Sequence, residues 1–162
     1  MKRLAVLLSV LSLLLISFAT TAAQPQNRNF IAPLSGAEEV PPADTKARGL
    51  AQFQLSKDGN ELSYKLIVAN IENVTMAHIH LAPAGANGPV VAWLYPDGPP
   101  PELIPGRTNG ILATGTITDD DLVGLLAGKS IDDLVDELRS ESAYVNVHTS
   151  QFPPGEVRGQ IR

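Results

Sequence analysis

The sequence predicts an all-β domain, a Greek-key β-sandwich or barrel of about eight strands with a small helical excursion near 118–140. Three observations lead there. Short runs in which apolar and polar residues alternate recur along the chain, the period of a strand with one wet face. Clusters of turn-forming residues, drawn from 13 Gly and 13 Pro with Asn and Asp, separate those runs. Apolar residues at helical spacing occur in one region only.

The elements follow in order. Residues 30–34 read as a first strand closed by Ser35-Gly36, and Pro41-Pro42 ends regular structure behind it. Ala51, Phe53 and Leu55 alternate with Gln52 and Gln54. Lys57-Asp58-Gly59-Asn60 then turns the chain into Leu62, Tyr64, Leu66 and Val68, a hairpin whose apolar face (Phe53, Leu55, Tyr64, Leu66) belongs to the core. Residues 75–81 and 90–95 are two further strands joined by the Pro- and Gly-rich stretch 82–89. The second is apolar on both faces and is expected at the centre of a sheet. Pro99, Pro100, Pro101 and Pro105 make 97–106 an irregular surface loop, and Asn109-Gly110 turns into a strand at 111–117. Thr118 can cap a short helix with Leu125 and Leu126 inward and Gly128 as its stop. Ser130 can cap a second, along which Ile131, Leu134, Val135 and Leu138 form one stripe. Residues 143–149 and 156–161 close the chain as a hairpin through Phe152-Pro153-Pro154-Gly155.

At the N-terminus Lys2 and Arg3 precede an apolar run from Leu4 to Phe18 and the small residues Ala19, Thr20, Thr21, Ala22 and Ala23, the order of a secretory signal peptide. The expected organisation is a signal peptide at 1–23 cleaved after Ala23, a polar tail at 24–29 and one domain at 30–162. No other apolar run has the length of a bilayer crossing, so no stable membrane span is expected after cleavage. The expected location is secreted or periplasmic, in the cell envelope. The absence of Cys fits bacterial export better than a small disulfide-bonded animal module, and it removes thiolate metal sites and Cys nucleophiles. Twelve Lys and Arg against 17 Asp and Glu leave a net charge of -5, so no nucleic-acid partner is expected. No nucleophile elbow and no phosphate-cradling loop supports a hydrolase or nucleotide enzyme.

The three histidines each lie in an expected strand beside a Pro-containing turn. Strand alternation sets Ala77, Ile79 and Leu81 against Met76, His78 and His80, and Ala143, Val145 and Val147 against Tyr144, Asn146 and His148. Two imidazoles two residues apart on one strand face sit roughly 7 Å apart at the backbone and can converge on one ion. His148 from a neighbouring strand would complete a three-imidazole site for copper or zinc, and Met76 as a soft fourth ligand would tilt it toward copper. The same histidines could instead hydrogen-bond loop carbonyls and pin the Pro-rich turns.

Other polar groups read as structural. Adjacent Glu38 and Glu39 point to opposite sides of an extended segment and are expected exposed. Asp119, Asp120 and Asp121 suit a first helical turn better than a cation site. Glu156, Arg158 and Gln160 share one face of the last strand, where a surface ion pair is the default. Trp93 is expected in the core, with a ligand platform beside Tyr95 as the alternative. Asn73-Val74-Thr75 is expected as a turn ahead of a strand.

Several separated segments occur in a characteristic order: Leu34-Ser35-Gly36-Ala37-Glu38-Glu39-Val40-Pro41-Pro42, Ala77-His78-Ile79-His80, Gly88-Pro89-Val90-Val91, Tyr144-Val145-Asn146-Val147-His148-Thr149, and Pro154-Gly155-Glu156-Val157-Arg158-Gly159-Gln160-Ile161. On them the chain resembles the chordin-type domain family, CHRD, over nearly all of 30–162. The resemblance implies an all-β fold and an exported protein. The family takes its name from an extracellular antagonist that binds growth factors, and its exported bacterial members have no settled activity. The H-x-H strand is also similar to the copper strand of Cu/Zn superoxide dismutase, although a bimetallic site needs more imidazoles than three. The expected function is therefore an exported, non-catalytic binding domain, with a three-histidine site for copper or zinc as its possible metal ligand set. One alternative is a mononuclear copper redox enzyme of the superoxide dismutase kind. The other is an adhesion or matrix protein with structural histidines, which would bind an extracellular protein or matrix ligand through the 97–106 loop.

Overall fold

A computed structural model describes residues 27–162, so the signal peptide expected at 1–23 and the first residues of the tail lie outside the described residues. The described chain forms seven strands: β1 (Asn29–Ser35), β2 (Arg48–Leu55), β3 (Leu62–Leu81), β4 (Val90–Tyr95), β5 (Ile104–Ile117), β6 (Ala143–Thr149) and β7 (Val157–Gln160). One helix, α1 (Ile131–Arg139), and three short 3-10 turns complete it. All strand pairings are antiparallel. The order is β2-β1-β7-β6-β3-β4 with β5 also on β3, and β2 pairs with β3 again, so the sheet closes into a barrel carrying extra strands.

Strand β3 makes the closure. Its first half pairs with β2 and β5, and its second half pairs with β6 and β4. Two expected strands, 62–68 and 75–81, are thus one, which is why seven strands stand where the sequence predicts about eight. The residues between them do not reverse the chain. Asn70 and Asn73 take left-handed backbone (φ 57 and 54), a conformation Asn tolerates better than most side chains, and the register slips there. Both asparagines face the β5 ribbon: Asn70 N–H donates to Asn109 Oδ1 at 2.8 Å, and Gly106 N–H donates to Asn73 Oδ1 at 2.8 Å. The result is a long bent strand that serves both ends of the barrel.

The barrel interior is apolar in the alternation the sequence announces. Phe30, Ala32 and Leu34, then Ala51, Phe53 and Leu55, then Leu62, Tyr64, Leu66 and Val68 are all buried. So are Ala77 and Ile79 of β3, Val145 and Val147 of β6, and Val157 of β7, all members of one cluster. Helix α1 adds Ile131, Leu134, Val135 and Leu138 to that cluster, and Ser130 caps it reciprocally with Asp133.

Three expectations need correction. Strand β4 ends the path of paired strands instead of lying at its centre. Its Val91, Ala92 and Leu94 are nonetheless buried, because Val123 N–H donates to Val91 O at 2.9 Å and Leu122 bridges Ala92, so the 3-10 segment covers the edge. The helix expected from Thr118 is two 3-10 turns, Asp119–Asp121 and Gly124–Leu126; Leu126 is buried but Leu125 is exposed. The aspartates there hold the turns: Asp121 accepts from Thr118 N–H and Oγ1 through Oδ2, and Asp119 accepts from Ile131 N–H. The surface loop at 97–106 is shorter than expected, since β5 starts at Ile104.

Leu66 has no exposed surface. Leu66→Ala should therefore cost about 2–5 kcal/mol of unfolding free energy in a urea melt, through lost burial and a residual cavity. A loss below about 0.5 kcal/mol, the range of surface sites, would place this face of β3 outside the core.

Candidate metal centre

Strand β6 is buried along all seven residues, on both faces. Its inner face is apolar, while its outer face carries Tyr144, Asn146 and His148. Register sets these opposite His80, His78 and Met76 of β3, and sets Tyr144 and Asn146 opposite Gln160 and Arg158 of β7. The condition for one site, that the strands bearing His78, His80 and His148 be neighbours, is met. The polar face is buried because the chain folds back over it in three places: the segment after β1, the stretch 82–89 and the turn at 150–155.

Each cover is held by side chains of the face beneath. Arg158, only 2% exposed, donates to Ala86 O at 2.7 Å, Pro83 O at 3.5 Å and Asn87 Oδ1 at 3.0 Å. Gln160 Nε2 donates to Ala82 O at 2.9 Å, and Tyr144 Oη accepts from Gly88 N–H at 3.2 Å. Glu156 accepts from Thr45 Oγ1 at 2.7 Å and Thr149 Oγ1 at 2.8 Å, tying the segment after β1 to β6. Glu39 lies against Asn146, whose Nδ2 donates to both carboxylate oxygens at 3.0 Å. Gly155, at φ +140, leaves room for that pair; a Cβ there would collide with both side chains.

Two surface expectations fall here. Glu156, Arg158 and Gln160 are buried instead of forming a surface pair, and Glu39 is buried while Glu38 is exposed as expected. Burial pushes the Glu39 carboxyl up to about 7, against the pull of the Arg158 charge and the Asn146 hydrogen bond.

Within this layer the three imidazoles converge, each offering a ring nitrogen within 4.8 Å of the others. His80 Nδ1 lies 2.9 Å from Gly88 O and His148 Nδ1 lies 2.9 Å from Pro153 O. A carbonyl can only accept, so both Nδ1 atoms carry the proton and both Nε2 atoms present lone pairs. His148 Nε2 is 3.2 Å from His78 Nδ1. That is the length of a hydrogen bond and also close to the roughly 3.3–3.4 Å between two nitrogens bound to one tetrahedral ion at about 2.0–2.1 Å. His80 Nε2 and His78 Nε2 are buried with no hydrogen-bond partner. Met76 is half-buried and opposite His148 in register. Trp93 is half-buried instead of fully in the core, and its ring packs edge-on against His78 with centroids 4.2 Å apart.

A family model of the CHRD domain matches residues 30–161. The chain belongs to the CHRD domain family. No curated protein and no solved structure matches it. In this CHRD domain the matched segments are the two layers of the site: the H-x-H strand and β6 supply the imidazoles, and the segments after β1 and around 154–161 supply their covers. Arg158, Tyr144, Asn146 and Glu39 are not among the site residues expected from the sequence. Their signal is present as alternation, Tyr144-x-Asn146-x-His148 and Glu156-x-Arg158-x-Gln160, but a polar strand face reads as wet unless the loops above it are known to fold down.

Burial sets the charge state of the site. It pushes His78 down to about 3, helped by His148 and His80. His80 is pushed down to about 4, with the Gly88 bond opposing, and His148 is lowered by burial against its Pro153 bond. All three are neutral near pH 7, and the Nε2 atoms of His78 and His80 have no hydrogen-bond partner. Because their folded values lie below the unfolded value of 6.5, the stability they contribute is present above pH 6.5 and is lost as pH falls toward their folded values. Glu39 has the opposite sign: raised from 4.5 to about 7, it favours the fold below 4.5 and loses that contribution as pH rises through 7. Between pH 6.5 and 4.5 three groups oppose one. Metal-free protein should therefore show urea midpoints that decline steadily on acidification through this window; midpoints that hold constant or rise would contradict buried neutral histidines.

Proposed function

We propose that this CHRD domain is an exported, non-catalytic binding module that holds a copper or zinc ion through His78, His80 and His148. The observation that carries the proposal is the unpartnered, buried lone pair of His80 Nε2, beside two further imidazole nitrogens within 4.8 Å. Leaving such acceptors unpaired in a protein interior is costly, and a cation would satisfy them together. The carbonyl bonds of His80 and His148 are the outer contacts that metal-binding histidines use to fix tautomer and ring orientation. Met76 on the same face supports copper over zinc. Among the described residues no helix is long and apolar enough to cross a membrane, and the family's extracellular setting supports export.

The rings are 3–8% exposed, which suits a structural or carrier ion better than turnover at an open coordination position. That burial disfavours the copper redox enzyme. A second reading is favoured by the same carbonyl bonds: histidines that only pin the 82–89 stretch and the 152–155 turn, on a domain that binds an extracellular protein or matrix ligand.

Trp93 is the sole tryptophan of the chain and touches His78, so its emission reports on the site. Titration of metal-free protein with copper(II) should quench Trp93 fluorescence at one equivalent, and calorimetry should give one copper or zinc per chain. Changing any one histidine to Ala should weaken binding by more than the roughly 100-fold typical of losing an outer contact, while Met76→Leu should cost less. Absent binding, or binding unchanged in His78→Ala/His148→Ala, would leave the histidines as turn pins and the function as protein or matrix binding.

A further inference from the structure

A cleft of about 280 Å³ opens between β4, β5 and the Asp119–Asp121 3-10 turn, lined by Tyr64, Trp93, Asp97, Thr116 and Asp121 among others. Trp93 is the wall it shares with the histidine layer. On the inner side the indole packs at 90° against His78, which is 3% exposed and whose Nε2 has no hydrogen-bond partner. On the outer side two exposed carboxylates, Asp97 and Asp121, border the cleft, and no Lys or Arg does. Their charge is felt at its floor: with burial as the larger cause, both help push the Tyr64 hydroxyl up to about 12.

The opposite approach is closed. There the buried Arg158 guanidinium lies 3.4 Å from the centroid of the Tyr144 ring, and Tyr144 stacks on His80 at 11°. A cation arriving from the β7 side meets a fixed positive charge beneath a stretch clamped by hydrogen bonds. One arriving from the β4 side meets two carboxylates and one half-buried side chain packed against the His78 ring.

We propose that this cleft is the loading vestibule of the three-histidine site: Asp97 and Asp121 capture a hydrated divalent cation, and rotation of the Trp93 side chain admits it to His78. The proposal rests on the metal-binding reading above. Carboxylates at the mouth of a cleft raise the local cation concentration and the association rate, an effect that salt screens. They stabilise the passage in both directions, so they alter uptake and release together and leave the equilibrium nearly unchanged. A half-buried indole is a gate of the right kind, since side-chain rotation is fast compared with opening a clamped loop.

The test is stopped-flow zinc uptake, and zinc release to a chromogenic chelator, by the whole mature protein at low and high ionic strength. In Asp97→Asn/Asp121→Asn both rates should fall by about three-fold or more at low salt, with Kd within about two-fold and the salt dependence flattened. Thr116→Lys, which places a cation in the cleft without touching the histidines or Trp93, should slow uptake in the same way. Trp93→Ala should speed both uptake and release. One zinc per chain at equilibrium verifies that each variant is folded. Zinc bound by the wild type at rates indifferent to both charge changes would overturn the vestibule and leave the site standing; no zinc bound by the wild type would overturn the site and the vestibule with it.

Discussion

Burial of β6 on both faces is the constraint from which the rest of the structure follows. A strand in that position satisfies one face with apolar packing and must satisfy the other with hydrogen bonds, because unpaired polar groups in an interior are expensive. The inner face joins the barrel core through Val145 and Val147. The outer face is met by three returning stretches of chain, rich in Pro and Gly, whose free carbonyls need donors. Arg158, Gln160 and His80 are those donors for the 82–89 stretch and His148 for the 150–155 turn, while the Asn146–Glu39 and Thr45–Glu156 hydrogen bonds hold the segment after β1. The covers and the face are therefore one hydrogen-bonded unit.

That unit also explains the charge arrangement. Carbonyls, an amide and an aromatic face surround the buried Arg158 guanidinium. Burial in this layer is the main cause that lowers His80, with smaller contributions from His148 and the Arg158 charge. Glu39 is the nearby carboxyl whose charge state responds to the same field. Two of the imidazoles spend their Nδ1 protons on carbonyls, and the Nε2 of one, His148, faces the third at 3.2 Å. A scaffold that uses two histidine donors to hold its turns thereby assembles a nitrogen-lined cluster with His78, which bonds no turn carbonyl.

Much of this is legible in the amino-acid sequence. Alternation locates the inward faces of β1, β2, β3, β6 and α1, and the period of two places His78, His80 and Met76 together and His148 opposite its own apolar set. What alternation cannot convey is whether the polar side of a strand is wet. Arg158 and Glu156 read as surface groups for that reason, although the loops that bury them stand in the same chain. Nor does local pattern reveal that Asn70 and Asn73 bend a strand instead of ending it, since Asn favours turns and bulges for the same backbone reason. Strand β4 reads as central because its residues are apolar on both faces, yet a covering segment buries such a strand as well as two neighbours do. The neighbouring of β3 and β6, on which the site depends, is a long-range fact that no local pattern records.

The central claim is that His80 and His148 are neutral and hold their protons on Nδ1, which leaves His80 Nε2 without a partner and His148 Nε2 facing His78 Nδ1 at 3.2 Å. Long-range proton–nitrogen NMR of the histidine rings in metal-free protein at about pH 7.5 tests it most directly, since nitrogen shifts separate the two tautomers and the imidazolium. The account predicts Nδ1–H tautomers for both residues at that pH, with the Nε2 resonances moving when zinc is added. Rings that are imidazolium there, or that carry the proton on Nε2, would contradict it.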